Sequence, residues 1–285
     1  MGQCDLCGEN AGMFKSRHPA CDAKAESLKN TLHDLVIEGT LAGQSFGDVY
    51  ARVAAKAEES KLPIAYFSEA MLQAADRAAT QIAQKSPISE AELSRLLDLL
   101  RGFGYPEGNR EEILRHKYYG MAFVGMSCTL WAVQNDCVPY LENDGDRMQF
   151  NLQRGEQPIF SAGKVTFAEE RTVDTGSRGY GGLSLPIGAG AYYHIGASQR
   201  RQVSGLLPID IGAMLITSHS LYFGGQTRTM RIDLAHVLRY EPYIDGVGVC
   251  EGLGPPKVFV PDYSGMDTGW FFVNLLSTLT FKLNQ

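Results

Sequence analysis

The sequence predicts an α+β chain in three parts: a short Cys/His-rich head, an all-helical region, and a strand-rich second half closed by one apolar helix. Three observations carry that expectation. Three of the six cysteines fall within the first 21 residues. Between Asp22 and Gln134 apolar residues recur at the spacing of one helix face. After Asn151 the composition turns glycine-rich and the apolar period drops to two.

The head carries Cys4-x2-Cys7, then His18-x2-Cys21. Thiolate and imidazole are the ligands zinc prefers, and two close pairs can wrap one tetrahedral ion. Cys4, Cys7, His18 and Cys21 fill all four positions, so the expected site is closed and structural, with no place for a catalytic water. His33 is the alternative fourth ligand. Gly8 and Gly12 suit the tight turn after the first pair. A head of this size has almost no core, and zinc binding, worth roughly 10–16 kcal/mol in small finger peptides, would supply its folding energy. A tail with incidental cysteines is the plainer alternative. The motif resembles the short treble-clef-like or ribbon-like zinc fingers at the start of many bacterial proteins. That likeness spans about 20 residues and implies no particular function.

Bulk properties narrow the function classes. The 285 residues carry a formal net charge of −6. Residues 1–150 hold 15 Lys+Arg against 21 Asp+Glu, and residues 151–285 hold 11 of each. Neither half has the basic excess of a nucleic-acid binder, and bulk attraction to an anionic membrane is not expected. The longest uncharged apolar stretch, Gly120–Val133, has 14 residues, short of the ~18–20 that span a bilayer. No transmembrane segment is expected. The start, MGQCDLCGEN, lacks a basic n-region and an apolar h-region, so a cytoplasmic location is expected. Clustered cysteines there read as metal ligands rather than disulfides.

The helical region is expected over 23–135. Ala23–Glu38 sets Leu28, Leu32, Leu35 and Val36 on one face, and Phe46–Ser60 sets Val49, Val53 and Ala57. Pro63 opens a helix over Ile64–Lys85, with Phe67, Met71, Ala74, Ala75, Ala78 and Ile82, and Ser86-Pro87 ends it. Ser89-x-x-Glu92 is a capping box for a helix through Leu93, Leu96, Leu97 and Leu100 to Gly102. Glu111 to Gln134 reads as one last helix. Asn135–Asn151 is polar and turn-rich, so 136–150 is expected to be a linker. Asn143, Asp144 and Asp146 there lack the closing Glu of a calcium loop.

The second half, 151–285, reads as strands: Pro158–Val173, Ala191–Ile195, Gly205–Ile211, Ala213–Thr217, Leu221–Phe223, Thr229–Leu234, Val247–Cys250 and Lys257–Val260. Gly224-Gly225 is expected to turn the chain. The glycine-dense Gly176–Gly190 lacks the Lys-Ser/Thr of a phosphate loop, and hairpin turns account for it. Asp267 or Thr268 caps a helix Trp270–Lys282. Phe272, Leu276, Leu279 and Leu283 share one face of it, with Phe271 and Leu275 on an adjacent one. About seven strands and a terminal apolar helix make the architecture of a pleckstrin-homology-like β-barrel capped by a helix.

Several blocks also resemble an uncharacterised bacterial family with a PH-like (GRAM-like) domain. They are Phe150-Asn151-Leu152-Gln153-Arg154-Gly155-Glu156, Gly190 through Gly196, Asp210 through Phe223, Glu241-Pro242-Tyr243 with Asp245-Gly246, and Gly269 through Phe272 with Asn274-Leu275. The likeness covers about 135 residues and implies binding rather than catalysis. The family tends to carry a basic residue where Ser218-His219-Ser220 stands, which weakens an anionic-lipid reading. The expected function is therefore a non-catalytic binding or scaffold protein whose PH-like domain docks a protein or a membrane surface. A protein partner is favoured, anionic lipid is weak, and nucleic acid through Lys15 and Arg17 is disfavoured. The enzymatic alternative is a hydrolase using His194, His219, His236, Asp233 or Asp245 as base and Ser218 or Ser220 as nucleophile; no nucleophile elbow accompanies them. Arg200-Arg201, Arg228, Arg231 and Lys257 are the candidates for a basic patch.

Overall fold

The computed structural model describes residues 2–12, 16–137, 150–174, 184–186, 192–194, 202–263 and 266–285. Arg200-Arg201, most of the expected linker and most of the glycine-dense stretch lie outside the described residues. The chain divides into two compact units, Met1–Trp131 and Ala132–Gln285. It is a mixed α+β protein. Among the described residues, no helix is long and apolar enough to cross a membrane.

In the first unit, β1 (Gly2–Gln3) and β2 (Asn10–Gly12) form an antiparallel hairpin. Helix α1 then runs over Pro19–Leu41, starting earlier than expected because Pro19 fits its first position, where no amide hydrogen bond is lost. Helix α2 (Phe46–Glu59) is capped by the Ser45 hydroxyl, which accepts from the Asp48 amide. The expected single helix over Ile64–Lys85 is a short 3-10 turn, Ile64–Phe67, followed by α3 (Ser68–Lys85). Helix α4 (Glu90–Gly102) is capped by Ser89, whose hydroxyl accepts from the Glu92 amide. The apolar faces converge: Leu32, Val36, Val49, Val53, Ala74, Ala75, Ala78, Leu96 and Leu99 are fully buried.

The expected helix Glu111–Gln134 is instead two helices, α5 (Arg110–His116) and α6 (Gly120–Gln134). Lys117 takes a left-handed conformation with φ of 55°, and the Tyr118 amide bonds back to the Ile113 carbonyl. This is helix-ending chemistry usually given to glycine, so the sequence offers no punctuation to read. The new helix start is capped from afar. The buried Asp76 carboxylate of α3 accepts from the Tyr119 and Gly120 amides at 3.1 and 2.7 Å. Burial pushes this carboxyl up to about 6 despite the two amide donors.

The second unit is a curled seven-stranded antiparallel sheet in a half-barrel. Its strands are β3 (Pro158–Asp174), β6 (Gln202–Thr217), β7 (Ser220–Gly225), β8 (Thr229–Asp233), β9 (Arg239–Pro242), β10 (Val247–Cys250) and β11 (Lys257–Pro261). The spatial order is β8-β7-β6-β3-β11-β10-β9. A separate small hairpin pairs β4 (Ser184–Pro186) with β5 (Tyr192–His194). Gly205–Ile211 and Ala213–Thr217 are one continuous strand rather than two. Register shifts along its pairing with β3 put an extra residue on β3 between Ala162 and Val165 and on β6 opposite Phe167 and Ala168. Gly224-Gly225 lie within β7, and the turn falls on Gln226–Arg228. The Asp210 carboxylate secures that turn, accepting from the Thr227 and Arg228 amides and the Thr227 hydroxyl at 2.7, 2.7 and 2.9 Å. These bonds outweigh burial and hold its pKa near 2.

The core of this unit is aromatic. Phe167, Phe223 and Phe259 are fully buried, with ring centroids 5.5–5.9 Å apart. Helix α7 (Gly269–Leu283) lays Phe271, Phe272, Leu275 and Leu276 on the sheet with no exposed surface. Phe160 of β3 meets Phe271 and Phe272 edge-on, at 4.9 and 5.5 Å. Each buried Phe stabilises by about 1.5–3 kcal/mol. Helix α7 also touches β9 and β10.

Two outcomes test this packing. Gly269 starts α7 where a Cβ would lie 1.6 Å from the Tyr243 carbonyl oxygen. Gly269→Ala is expected to destabilise by about 1–3 kcal/mol or more, read by urea denaturation. Asp210 has a depressed pKa, so its stabilisation is present above the unfolded value of about 3.9 and is lost as pH falls toward 2. Asp210→Asn is expected to lower the melting temperature at pH 7, with the gap from wild type closing by pH 2.

Candidate metal centre

The head folds so that the two halves of the Cys/His motif meet. Cys4 and Cys7 sit on the turn between β1 and β2. Backbone bonds from Gly8 N to Cys4 O (2.8 Å) and from Cys4 N to Glu9 O (2.7 Å) close that turn. Gly8 adopts a φ of +74°, a region L side chains rarely enter. His18 is the residue before α1, extended at φ −83° and ψ 143°. Cys21 therefore stands on the first helical turn, and the boundary expected between head and helix at residue 22 falls inside α1.

The structure brings Cys4, Cys7, His18 and Cys21 together, with their four ligand atoms all within 4.8 Å of one another. His18 Nδ1 lies 3.4 Å from Cys7 Sγ and 3.7 Å from Cys21 Sγ. The other ring nitrogen, Nε2, is 2.9 Å from the Asn10 carbonyl oxygen. An Nε2–H donated to that carbonyl leaves Nδ1 free as a ligand and fixes the ring. Cys4 is buried, Cys7 exposed and Cys21 between. Burial opposes ionisation of Cys4, yet the Leu6, His18 and Cys7 amides directed at its sulfur pull its pKa down to about 6. Burial and the neighbouring Cys4 and Cys7 thiols push Cys21 up to about 11. Three sulfurs crowded in this way are relieved by a cation, which deprotonates its coordinating thiols. The group can hold a metal ion. His33, the alternative ligand, lies instead beside Asp34 at 3.5 Å and is not among the four.

Arg17, next to His18, ties the head to the helices, a link nothing in the residue pattern foretold. Its guanidinium is 3.8 Å from Asp5 and 3.6 Å from Asp22. It also donates to the Tyr66 hydroxyl and lies 4.8 Å from the Tyr66 ring centroid. Such a cation–π contact is worth about 0.5–1 kcal/mol when exposed.

The side chain of His194 lies outside what the structure describes, and Ser218, His219, Ser220, Asp233 and His236 are engaged locally in the second unit. Ser218 Oγ is 2.7 Å from His219 Nδ1 and accepts from the Gln157 amide. Ser220 Oγ donates to Glu156 at 2.7 Å, and Asp233 accepts from the Ala235 amide. His236 is exposed, 3.7 Å from Asp233. Two of the basic candidates stand apart. Arg231 stands on β8 beside Glu156, and Lys257 on β11 beside Glu251, with three strands between them.

No family model matches the chain, and no curated protein or solved structure matches it. The functional argument therefore rests on the site and the fold.

Elemental analysis of protein purified without added chelator is expected to find about one metal ion per chain. Cys4→Ser and His18→Ala should each lose most of it, and His33→Ala should keep it.

Proposed function

We propose that the chain is a non-catalytic binding or scaffold protein. In this reading a structural zinc holds the head, the helical region is a spacer, and the second unit is a PH-like module that docks a protein surface. The observation that carries it is the closed set of ligands. Four protein atoms converge, and a tetrahedral ion bound by them would keep no position for water or substrate. Zinc fits the spacing. With Zn–S near 2.3 Å and Zn–N near 2.0–2.1 Å, a tetrahedron needs S···N separations of about 3.6 Å, beside the 3.4 and 3.7 Å here. Three thiolates and an imidazole suit zinc better than hard cations. Such a site works in a reducing compartment, in line with a cytoplasmic location.

The PH-like assignment is supported by the order of the curled sheet and by α7 packed on it, and by the residue blocks that resemble that family. A protein partner is favoured over lipid because Arg231 and Lys257 are far apart along the sheet and each has an acidic neighbour. Ser218 and His219 stand where a basic residue would help a headgroup. Nucleic acid is disfavoured by the net charge of −6.

Two measurements test this reading. Removing zinc with a chelator is expected to expose the amides of the β1–β2 hairpin and the first turn of α1 to hydrogen exchange, with the β3–β6 amides unchanged. Co-sedimentation with phosphatidylserine vesicles at physiological salt is expected to stay near background; strong pelleting would overturn the choice of a protein partner.

A further inference from the structure

We infer that β8 is a docking edge for an extended segment of a partner protein, one that alternates apolar and polar residues and sets a carboxylate across from Arg231. This rests on the binding-module reading above and names the surface and the chemistry of its partner.

The two ends of the sheet order, β8 and β9, are its edges, and they differ. In β9 the phase of pairing is set by the Tyr243 amide bonding Gly246 O. Arg239 and Glu241 therefore turn their backbone groups to β10. That leaves Tyr240 and Pro242 facing out, and Pro242 has no N–H to give. The edge is short, carries an Arg239–Glu241 ion pair at 2.8 Å and ends in proline, three devices that discourage pairing.

The β8 edge lacks the proline, although it too is short and carries an ion pair, Arg231 with Glu156. Gly225 N bonds Arg228 O and Leu234 N bonds His219 O. By alternation Met230 and Ile232 pair with β7, while Thr229, Arg231 and Asp233 turn their N–H and C=O outward. Among the described residues β7 is the only strand bonded to β8. No proline or glycine interrupts it. An added strand could make main-chain bonds at three successive outward positions, the usual source of affinity in strand addition.

The side chains say what that strand should carry. Ile232 is buried and Met230 half-buried on the inner face, so inward residues of the partner would be apolar. Arg231 is exposed on the outer face, its guanidinium carbon 5.9 Å from the Tyr222 ring centroid. It is oriented from below by Glu156, whose side chain is 3% exposed and which also accepts from Ser220 and Tyr222. The Glu156 contact is long, 3.5 Å, and uses one of five guanidinium donors. The Tyr222 hydroxyl takes a share as well, and the donors beyond these two contacts can meet a carboxylate directly across from Arg231. Cross-strand pairs of opposite charge are the ones a sheet favours.

The test is selection of a random dodecapeptide phage library on the full-length zinc-loaded protein, followed by fluorescence polarisation with the enriched peptides. Enriched sequences should alternate apolar and polar residues, with one acidic residue among the polar positions. Arg231→Gln should weaken them about twofold to fivefold, the scale of one cross-strand pair, and erase the acidic preference. Thr229→Pro, which removes an outward N–H, should weaken them by about tenfold or more. Circular dichroism melts check that both variants stay folded, and a variant that does not is replaced by Arg231→Lys, expected to retain the acidic preference. Peptides that enrich but bind both variants as well as wild type would overturn the β8 edge and leave the binding-module reading standing. A selection that enriches nothing, together with no protein partner bound at physiological salt, would overturn both.

Discussion

Everything in the second unit hangs on one antiparallel pairing. Strands β3 and β6 run together from the Pro158–Thr217 pair to the Asp174–Gln202 pair. Strand β11 adds to the far side of β3 and β7 to the far side of β6. A one-residue slip between β3 and β6 would turn Phe167 and Met214 away from the core on every neighbouring strand at once. The register shifts along this pairing let so long a ladder curl without such a slip, because each places extra backbone on one strand or the other and deepens the local twist. The curl brings Phe167, Phe223 and Phe259 within ring contact although they come from three strands. Helix α7 then has a concave apolar surface to cover.

Much of this was legible in the residues, for reasons that differ by region. Strands Val247–Cys250 and Lys257–Val260 were visible because turn signals flank short β-branched runs, the second extending one residue further, to Pro261. Helix α7 was visible because Phe271, Phe272, Leu275, Leu276 and Leu279 form a stripe that only burial explains. The Ser45 and Ser89 caps were local chemistry, though only Ser89 was marked by its capping box. What stayed hidden depended on distance in sequence. The break between α5 and α6 is made by Lys117 in a glycine-like conformation and by Asp76, more than forty residues earlier. Strand β9 was missed because Arg-Tyr-Glu-Pro has no apolar alternation; its place comes from pairing with β10. Gly224-Gly225 looked like a turn, yet close packing beside β6 is their use, where a Cβ on Gly212 would strike the Gly224 carbonyl.

The candidate metal centre divides the same way. The ligand types and spacing stood in the sequence because metal chemistry allows few substitutes. The parts that orient the ligands did not, since backbone groups leave no mark on residue identity. The Asn10 carbonyl that holds the His18 ring and the amides that point at Cys4 are of that kind. Arg17 and Tyr66 are ordinary residues in the sequence and partners only in the fold.

The position of Cys21 on the first turn of α1 has a consequence for the order of events in synthesis. Starting a helix is the costly step, because several residues must be fixed before the first backbone bond repays them. An ion held by Cys4, Cys7, His18 and Cys21 fixes that first turn in advance. All four ligands leave the ribosome before the rest of the 23-residue helix. A metal bound at that stage would leave α1 nucleated while α2 and α3 are still unmade.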